Sequence, residues 1–270
     1  MKILLNNHDL NGALVNVSNL GFIPTMGGLH KGHISLIKMS LKRCKKTIVS
    51  IFINPQQFNK KSDYKKYPRQ IKQDLILLKK INVDFVYIPK IEHVYDNQKV
   101  PKITINQKDR VLCAKFRKDH FEGVIEVMFR LTKLIKPNKI FMGEKDFQQL
   151  YLVKNFISKN FKCKVVSGKT IRDKNHAALS SRNLLLKKID LKIVGDIAQN
   201  LILFKKNLNT KDNLKKLLII KKNELSKKFN INIDYLELRN SENLKISKVK
   251  KKSRLFIAYN FKKIRLIDNF

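Results

Sequence analysis

Hydrophobic periodicity switches back and forth between strand and helix periods through the first ~170 residues, and this alternation constrains the fold more than any other feature of the chain. Gly21 to Met26 is a short apolar run ending in Gly27-Gly28, and from His33 a helical pattern places Leu36, Ile37, Leu41 and Cys44 on one face. Thr47 to Ile53 is a continuous apolar, β-branched run, as expected of a parallel strand covered on both sides. Pro68 suits the first turn of a second helix with the stripe Ile71, Leu75, Leu78 and Ile81. Asp84 to Ile88 is another strand, Val124 to Ile135 a helix ended by Pro137, and Lys139 to Met142 a strand meeting Gly143. Phe147, Leu150, Tyr151 and Ile157 begin the next helical pattern, and Lys164 to Val166, with Thr170-Ile171, closes the series. Such alternation implies a doubly wound parallel sheet with right-handed crossovers. Ligands of such sheets bind beyond the carboxyl ends of the strands, here residues 25–33, 54–58 and 143–146.

Beyond about residue 175 the pattern changes. Two lysine-rich helical stretches, around 189–204 and 211–228, precede three strand-like runs: Ile233 to Leu238, Arg254 to Tyr259 and Ile264 to Ile267. This predicts a smaller α+β unit with a mostly antiparallel sheet. Internal repeats, heptads and long Gly/Ser/Pro linkers are absent from the sequence.

With 270 residues, 43% of them hydrophobic, the chain can bury a substantial core. No apolar stretch reaches the roughly 20 residues of a membrane-spanning helix, and the apolar part of Met1 to Asn7 is too short for a secretory signal. Cys44, Cys113 and Cys163 are odd in number and far apart, which excludes a disulfide framework and points to a reducing cytoplasm. None of the six histidines sits in a zinc-binding spacing. Lys and Arg total 58 against 21 Asp and Glu, a formal charge of +37. A nucleic-acid partner would use such charge on phosphates. The lysines, however, are scattered as doublets such as Lys79-Lys80 and Lys187-Lys188, without an aromatic stacking platform. The charge is therefore read as a solvated cationic surface, with no membrane and no dedicated nucleic-acid partner.

Four segments carry chemistry. In Pro24 to His33 a glycine-rich turn follows a strand and opens a helix, so that backbone N–H groups and two histidines face one place. It is neither a Walker A loop nor Gly-x-Gly-x-x-Gly; taken by itself it is equally a loop with two exposed histidines. Asn54-Pro55-Gln56-Gln57-Phe58 offers amides that bind a small carboxylic acid without adding charge, or is simply an Asn-Pro turn. In Gly143 to Gln149, Lys145 can hold phosphate as a point charge and Asp146 can accept from ribose hydroxyls, or the segment is a capped surface helix. Leu179-Ser180-Ser181-Arg182-Asn183 places two hydroxyls and a guanidinium in one loop, fit for a triphosphate or for an ordinary turn.

His30-Lys31-Gly32-His33 is similar to the His-x-Gly-His signature of the nucleotidyltransferase superfamily. The ordered set resembles the pantothenate synthetase (pantoate–β-alanine ligase) family more closely. It runs through Gly21 to Gly27, Leu29 to His33, Ser50 to Pro55, Tyr67-Pro68-Arg69 with Asp74, His120 to Val124, Gly143 to Leu150, Leu179 to Asn183 and Arg265 to Asn269. The resemblance implies a Rossmann-like doubly wound domain over 1–173 that binds ATP and pantoate, with a smaller α+β C-terminal domain over 174–270 closing over the ATP site. It implies ATP-dependent condensation of pantoate with β-alanine to pantothenate through a pantoyl adenylate, releasing AMP and pyrophosphate. By the same resemblance, ATP is bound by Met26, Gly27, Gly28, Leu29, His30, Lys31, Gly32, His33, Gly143, Glu144, Lys145, Asp146, Ile171, Leu179, Ser180, Ser181 and Arg182. His33 is the proton donor, Gln57 and Gln149 hold pantoate, and Gln57 also lies against β-alanine. Mg²⁺ enters with the triphosphate on unidentified protein ligands, and a cytoplasmic homodimer is expected.

The chain departs from that family's pattern in three places. Arg117-Lys118-Asp119-His120-Phe121 stands where the family normally reads Arg-Pro-Gly-His-Phe, Asn175-His176-Ala177-Ala178 stands for Asp-Gly-Leu-Ala, and Ala114 replaces a loop glycine. Losing the Pro-Gly pair predicts a more mobile loop. Two other readings are another His-x-Gly-His nucleotidyltransferase, acting on an alcohol phosphate, and a basic nucleic-acid-binding protein that has lost catalysis.

Overall fold

In the computed structural model, residues 1–95, 103–209 and 213–270 are described, and each short apolar run between residues 21 and 166 contributes a parallel strand. The strands are β1 (Lys2–Leu4), β2 (Leu20–Thr25), β3 (Lys46–Ile51), β4 (Phe85–Tyr87), β5 (Lys139–Gly143) and β6 (Lys164–Gly168). They form one sheet in the order β1-β4-β3-β2-β5-β6, and every pairing is parallel. From β2 the chain runs outward through β3 and β4, then returns to add β5 and β6 on the other side. The reversal opens a crevice at the carboxyl end of β2, where such sheets bind ligands.

The connecting helices are α1 (Asn7–Leu14), α2 (Lys31–Arg43), α3 (Lys61–Lys66), α4 (Ile71–Lys80) and α5 (Ile91–Val94). After the short α6 (Cys113–Phe116) come α7 (His120–Ile135) and α8 (Phe147–Asn160). One core cluster joins the apolar faces of α2 and α4 to the sheet through Ile23, Leu36, Ile37, Val49, Leu78, Val86 and Phe141. The predicted stripes therefore point inward except at Ile71, which opens α4 and is exposed, and three further corrections apply. The edge strand β1 has no counterpart in the sequence periodicity, and Thr170-Ile171 belongs to no strand. Pro68 lies between α3 and α4 rather than in a first turn, because the residue before a proline is held extended: Tyr67, at φ −63° and ψ 132°, ends α3.

The remaining chain forms α9 (Lys188–Asn207), α10 (Leu214–Phe229), β7 (Asn232–Asn240), β8 (Ser253–Phe261) and β9 (Ile264–Asn269). Residues 211 and 212 of the second predicted helix lie outside the described residues. The three strands pair antiparallel in the order β7-β8-β9, over a core that includes Leu201, Leu225, Leu255 and Ile257. The chain divides into two compact units, 1–106 with 117–170, and 107–116 with 171–270. A Rossmann-like parallel sheet and a smaller α+β unit are thus both present. The short segment carrying α6 sits with the second unit, although the sequence boundary at 173/174 put it with the first. Among the described residues no helix is long and apolar enough to cross a membrane.

Candidate active site

At the carboxyl end of β2 the chain must turn sharply into α2, and Gly27 (φ 80°) and Gly28 (φ 62°) supply the left-handed backbone. Asp74, buried on α4, fixes this turn: its two carboxylate oxygens accept from the backbone N–H of Gly28 at 2.9 Å and of Leu29 at 2.8 Å. A Cβ at Gly27 would meet that carboxylate at 3.0 Å. Thr25 ties the turn to β3 by donating to the Ser50 carbonyl at 2.7 Å and accepting from Gly27 N–H at 3.2 Å.

His30 caps α2, its Nδ1 accepting from Gly32 N–H at 3.1 Å, while His33 Nδ1 accepts from His30 N–H at 3.3 Å. Each ring keeps its Nδ1 lone pair for that bond, so the neutral imidazole carries its hydrogen on Nε2. Burial lowers His30 from 6.5 to about 4, with Lys145 adding to the effect and Asp146 opposing it. Burial likewise lowers His33 from 6.5 to about 3, helped by His30 and Lys145 against Asp146. The first turn of α2 holds no acidic residue and its last turn holds Lys42 and Arg43. The helix therefore presents an uncompensated positive end beside two neutral N–H donors, a place for phosphate oxygens.

Beyond β5, Gly143 leads into a 3-10 turn (Glu144–Asp146) that precedes α8. Lys145 Nζ lies 3.2 Å from the Asp146 carboxylate, with the lysine side chain 19% exposed. Lys145 and Asp146 both act electrostatically on His30 and His33, so this turn lies close to the mouth of α2. Gln149 is half-buried in the first turn of α8.

The 3-10 turn after β3, Pro55–Gln57, is capped by Asn54, whose Oδ1 accepts from Gln56 N–H at 3.2 Å. Gln57 is buried: its Oε1 accepts from Asn54 Nδ2 at 3.3 Å and its Nε2 donates to Met26 Sδ at 2.8 Å, joining the amide turn to the glycine turn. Tyr95 donates to Asn54 Oδ1 at 2.7 Å, and burial first, then Glu126, hold that phenol well above its ordinary value, so it stays a donor. Sequence reasoning missed Tyr95 altogether. Asp74 and His120 stood only among residues of resemblance, and nothing in their spacing exposed what they would grip.

Ile171 and Leu179 to Arg182 belong to the second unit. Leu179 N–H donates to the Ile171 carbonyl at 3.0 Å, and Ser180 caps the 3-10 turn Ser181–Leu185 by accepting from Arg182 N–H at 3.3 Å. Arg172 forks onto the Asp268 carboxylate at 2.7 and 2.9 Å, anchoring the start of this loop on β9. Two of the three departures from the family pattern are accommodated by backbone. Asp119 (φ 58°) and His176 (φ 71°) both take the left-handed conformation that glycine adopts without strain. Around His176 the Asp173 carboxylate compensates by accepting from Asn175 and Ala177 N–H at 2.8 and 2.9 Å.

A parallel sheet reversing at β2, with a glycine turn, a helix mouth and imidazoles at its carboxyl edge, defines a Rossmann-like α/β protein. The sequence model of the family described as Pantoate-beta-alanine ligase matches residues 5–270. Pantothenate synthetase of Francisella tularensis subsp. novicida (strain U112) is 35% identical over an alignment of 270 residues that covers 97% of this chain and 93% of that protein. Pantothenate synthetase of Thermus thermophilus superposes with a TM-score of 0.92 at 30% identity, covering 100% of this chain and 99% of that one. Pantoate–β-alanine ligase of Francisella tularensis, crystallised in complex with beta-gamma ATP and β-alanine, gives 0.85 at 32% identity, covering 100% and 97%. The chain belongs to the pantoate–β-alanine ligase family. The fold and the ligase activity expected from the sequence are borne out.

Proposed function

We propose that this chain joins pantoate to β-alanine at the expense of ATP through a pantoyl adenylate. A pantoate carboxylate oxygen attacks the α-phosphorus, the bond from that phosphorus to the bridging oxygen breaks, and pyrophosphate leaves. The amine of β-alanine then attacks the acyl carbon, the bond to AMP breaks, and the amine gives up a proton as the amide of pantothenate forms. The observation that carries this reading is the pair of neutral, Nε2-protonated imidazoles at the mouth of α2, beside Lys145. Adenylation spreads negative charge over phosphate oxygens, and fixed N–H and cationic donors stabilise it best. The ATP-complexed Francisella tularensis relative supports the choice of nucleotide.

In this reading Met26 to His33 and Gly143 to Asp146 bind ATP, with Ile171, Leu179, Ser180, Ser181 and Arg182 completing the nucleotide contacts. His33 donates from Nε2 to the charge developing at the phosphates. No imidazolium is present there at neutral pH until phosphate charge raises its affinity for a proton, and that rise is what proton donation needs. Gln57 and Gln149 hold pantoate, Gln57 also contacting β-alanine. Among the described residues no three His, Cys, Asp or Glu side chains gather as metal ligands, and the donors at the helix mouth are N–H groups. They fit phosphate oxygens rather than a protein-held ion, so Mg²⁺ enters as part of the nucleotide substrate.

The reading includes a cytoplasmic homodimer assembled mainly through the first unit, with no dedicated nucleic-acid partner; dispersed thiols and dispersed lysines support the location and the missing partner. Sedimentation giving only monomer at both low and high salt contradicts the dimer. Mass spectrometry after incubation with ATP, Mg²⁺, pantoate and β-alanine tests the reaction. Pantothenate and AMP are expected, and ADP in place of AMP refutes the adenylate.

A further inference from the structure

The first turn of α7 grips the Asn54–Gln57 segment in three ways. The Gly123 carbonyl accepts from Asn54 Nδ2 at 3.1 Å. At Gly123 the two backbones approach so closely that a Cβ would lie 2.5 Å from the Gln56 carbonyl oxygen. The buried His120 ring bonds the Gln57 carbonyl through Nδ1 at 2.6 Å and Arg117 Nη1 through Nε2 at 2.8 Å. A carbonyl only accepts and a guanidinium only donates, so His120 is the neutral tautomer with its hydrogen on Nδ1. Arg117 Nη2 also reaches the Gln57 carbonyl, at 3.3 Å. The charged guanidinium thus sets the tautomer, and the tautomer supplies the donor that pins Gln57.

We propose that His120 is a positioning residue for the reaction, holding the Gln57 backbone so that its side-chain amide meets pantoate and β-alanine at a fixed depth. The inference rests on the assignment of Gln57 to those substrates made above. Gln57 Nε2 otherwise has Met26 Sδ, a weak acceptor, and Oε1 has the 3.3 Å bond from Asn54, so its side chain is loosely tied and depends on a fixed backbone. Both ring nitrogens of His120 are engaged, by Gln57 and by Arg117, neither of which is assigned to ATP, so its loss bears on the acid and amine substrates more than on the nucleotide.

Three substitutions separate the two ring nitrogens. His120→Asn keeps an N–H donor where Nδ1 stands, His120→Gln keeps an acceptor where Nε2 stands, and His120→Phe keeps neither. Steady-state kinetics with each substrate varied in turn should give His120→Phe a pantoate KM raised about tenfold and an ATP KM within about twofold of the parent. His120→Asn should recover most of that loss and His120→Gln little of it. If His120→Phe does not fold, the Asn and Gln variants decide between themselves. Equal pantoate KM values in those two, or an ATP KM rising in step with that of pantoate, overturn the proposal. Gln57→Ala is measured alongside. An unchanged pantoate KM there refutes the assignment of Gln57, whereas a raised one combined with a silent His120→Phe refutes only the positioning role.

Discussion

Protonating His30 or His33 means breaking a hydrogen bond, because each Nδ1 already accepts a backbone N–H. The folded protein therefore resists protons that the unfolded chain takes up near pH 6.5. Where the unfolded state binds more protons, stability falls as pH falls. The substrate-free protein should lose stability from about pH 6.5 downward, until His30 titrates at about 4 and His33 at about 3. Melting temperatures across that range test it: His33→Gln should flatten the slope, and an unchanged slope contradicts the account. His33→Ala should slow adenylate formation roughly 10²–10⁴-fold while costing stability only about 1 kcal/mol, the cap bond that His33 makes to His30 N–H, because in the proposed mechanism it removes a phosphate donor and little core packing. Near-normal pyrophosphate exchange in that variant removes His33 from the mechanism. The His-x-Gly-His spacing was enough to single out both histidines. Their tautomers and depressed proton affinities were not legible, because both depend on which backbone N–H each ring meets.

Among the elements, α4 does more than cover the sheet. Its Asp74 clamps the glycine turn with both carboxylate oxygens, so the backbone of that turn is braced from a helix 45 residues downstream. In Asp74→Asn one oxygen becomes an NH₂ group facing a backbone N–H, leaving a buried donor unpaired. That should lower stability by about 1–3 kcal/mol in denaturant titrations and raise the KM for ATP. A variant of parental stability and KM contradicts the bracing role. Long elements were legible because apolar stripes recur over several turns, as with Leu36 and Ile37 on α2 or Leu75 and Leu78 on α4. The three residues of β1 are too few to establish a period, and its partner β4 lies more than eighty residues away. The link from Tyr95 to Asn54 was hidden for the same reason, as it joins residues 41 apart.

For the whole molecule, the charge of +37 raises the question whether the field or the site gathers ATP. Lys250, Lys251 and Lys252 are exposed on the loop before β8, with Lys252 paired to Glu242 at 3.0 Å. Beyond a Debye length of about 8 Å at physiological salt their effect on a nucleotide is screened. Replacing all three with glutamine should leave turnover almost unchanged, whereas Lys145→Gln should raise the KM for ATP or lower kcat. Equal losses in the two, measured at low and high salt, contradict that separation. The +37 was plain in the composition, but the place of residues 107–116 was not, because a unit built from two distant stretches leaves no boundary in a linear reading. If pantoate is activated as an adenylate before the amine takes part, labelled pyrophosphate should exchange into ATP with pantoate and Mg²⁺ present and β-alanine absent. Exchange that occurs only once β-alanine is added contradicts the adenylate.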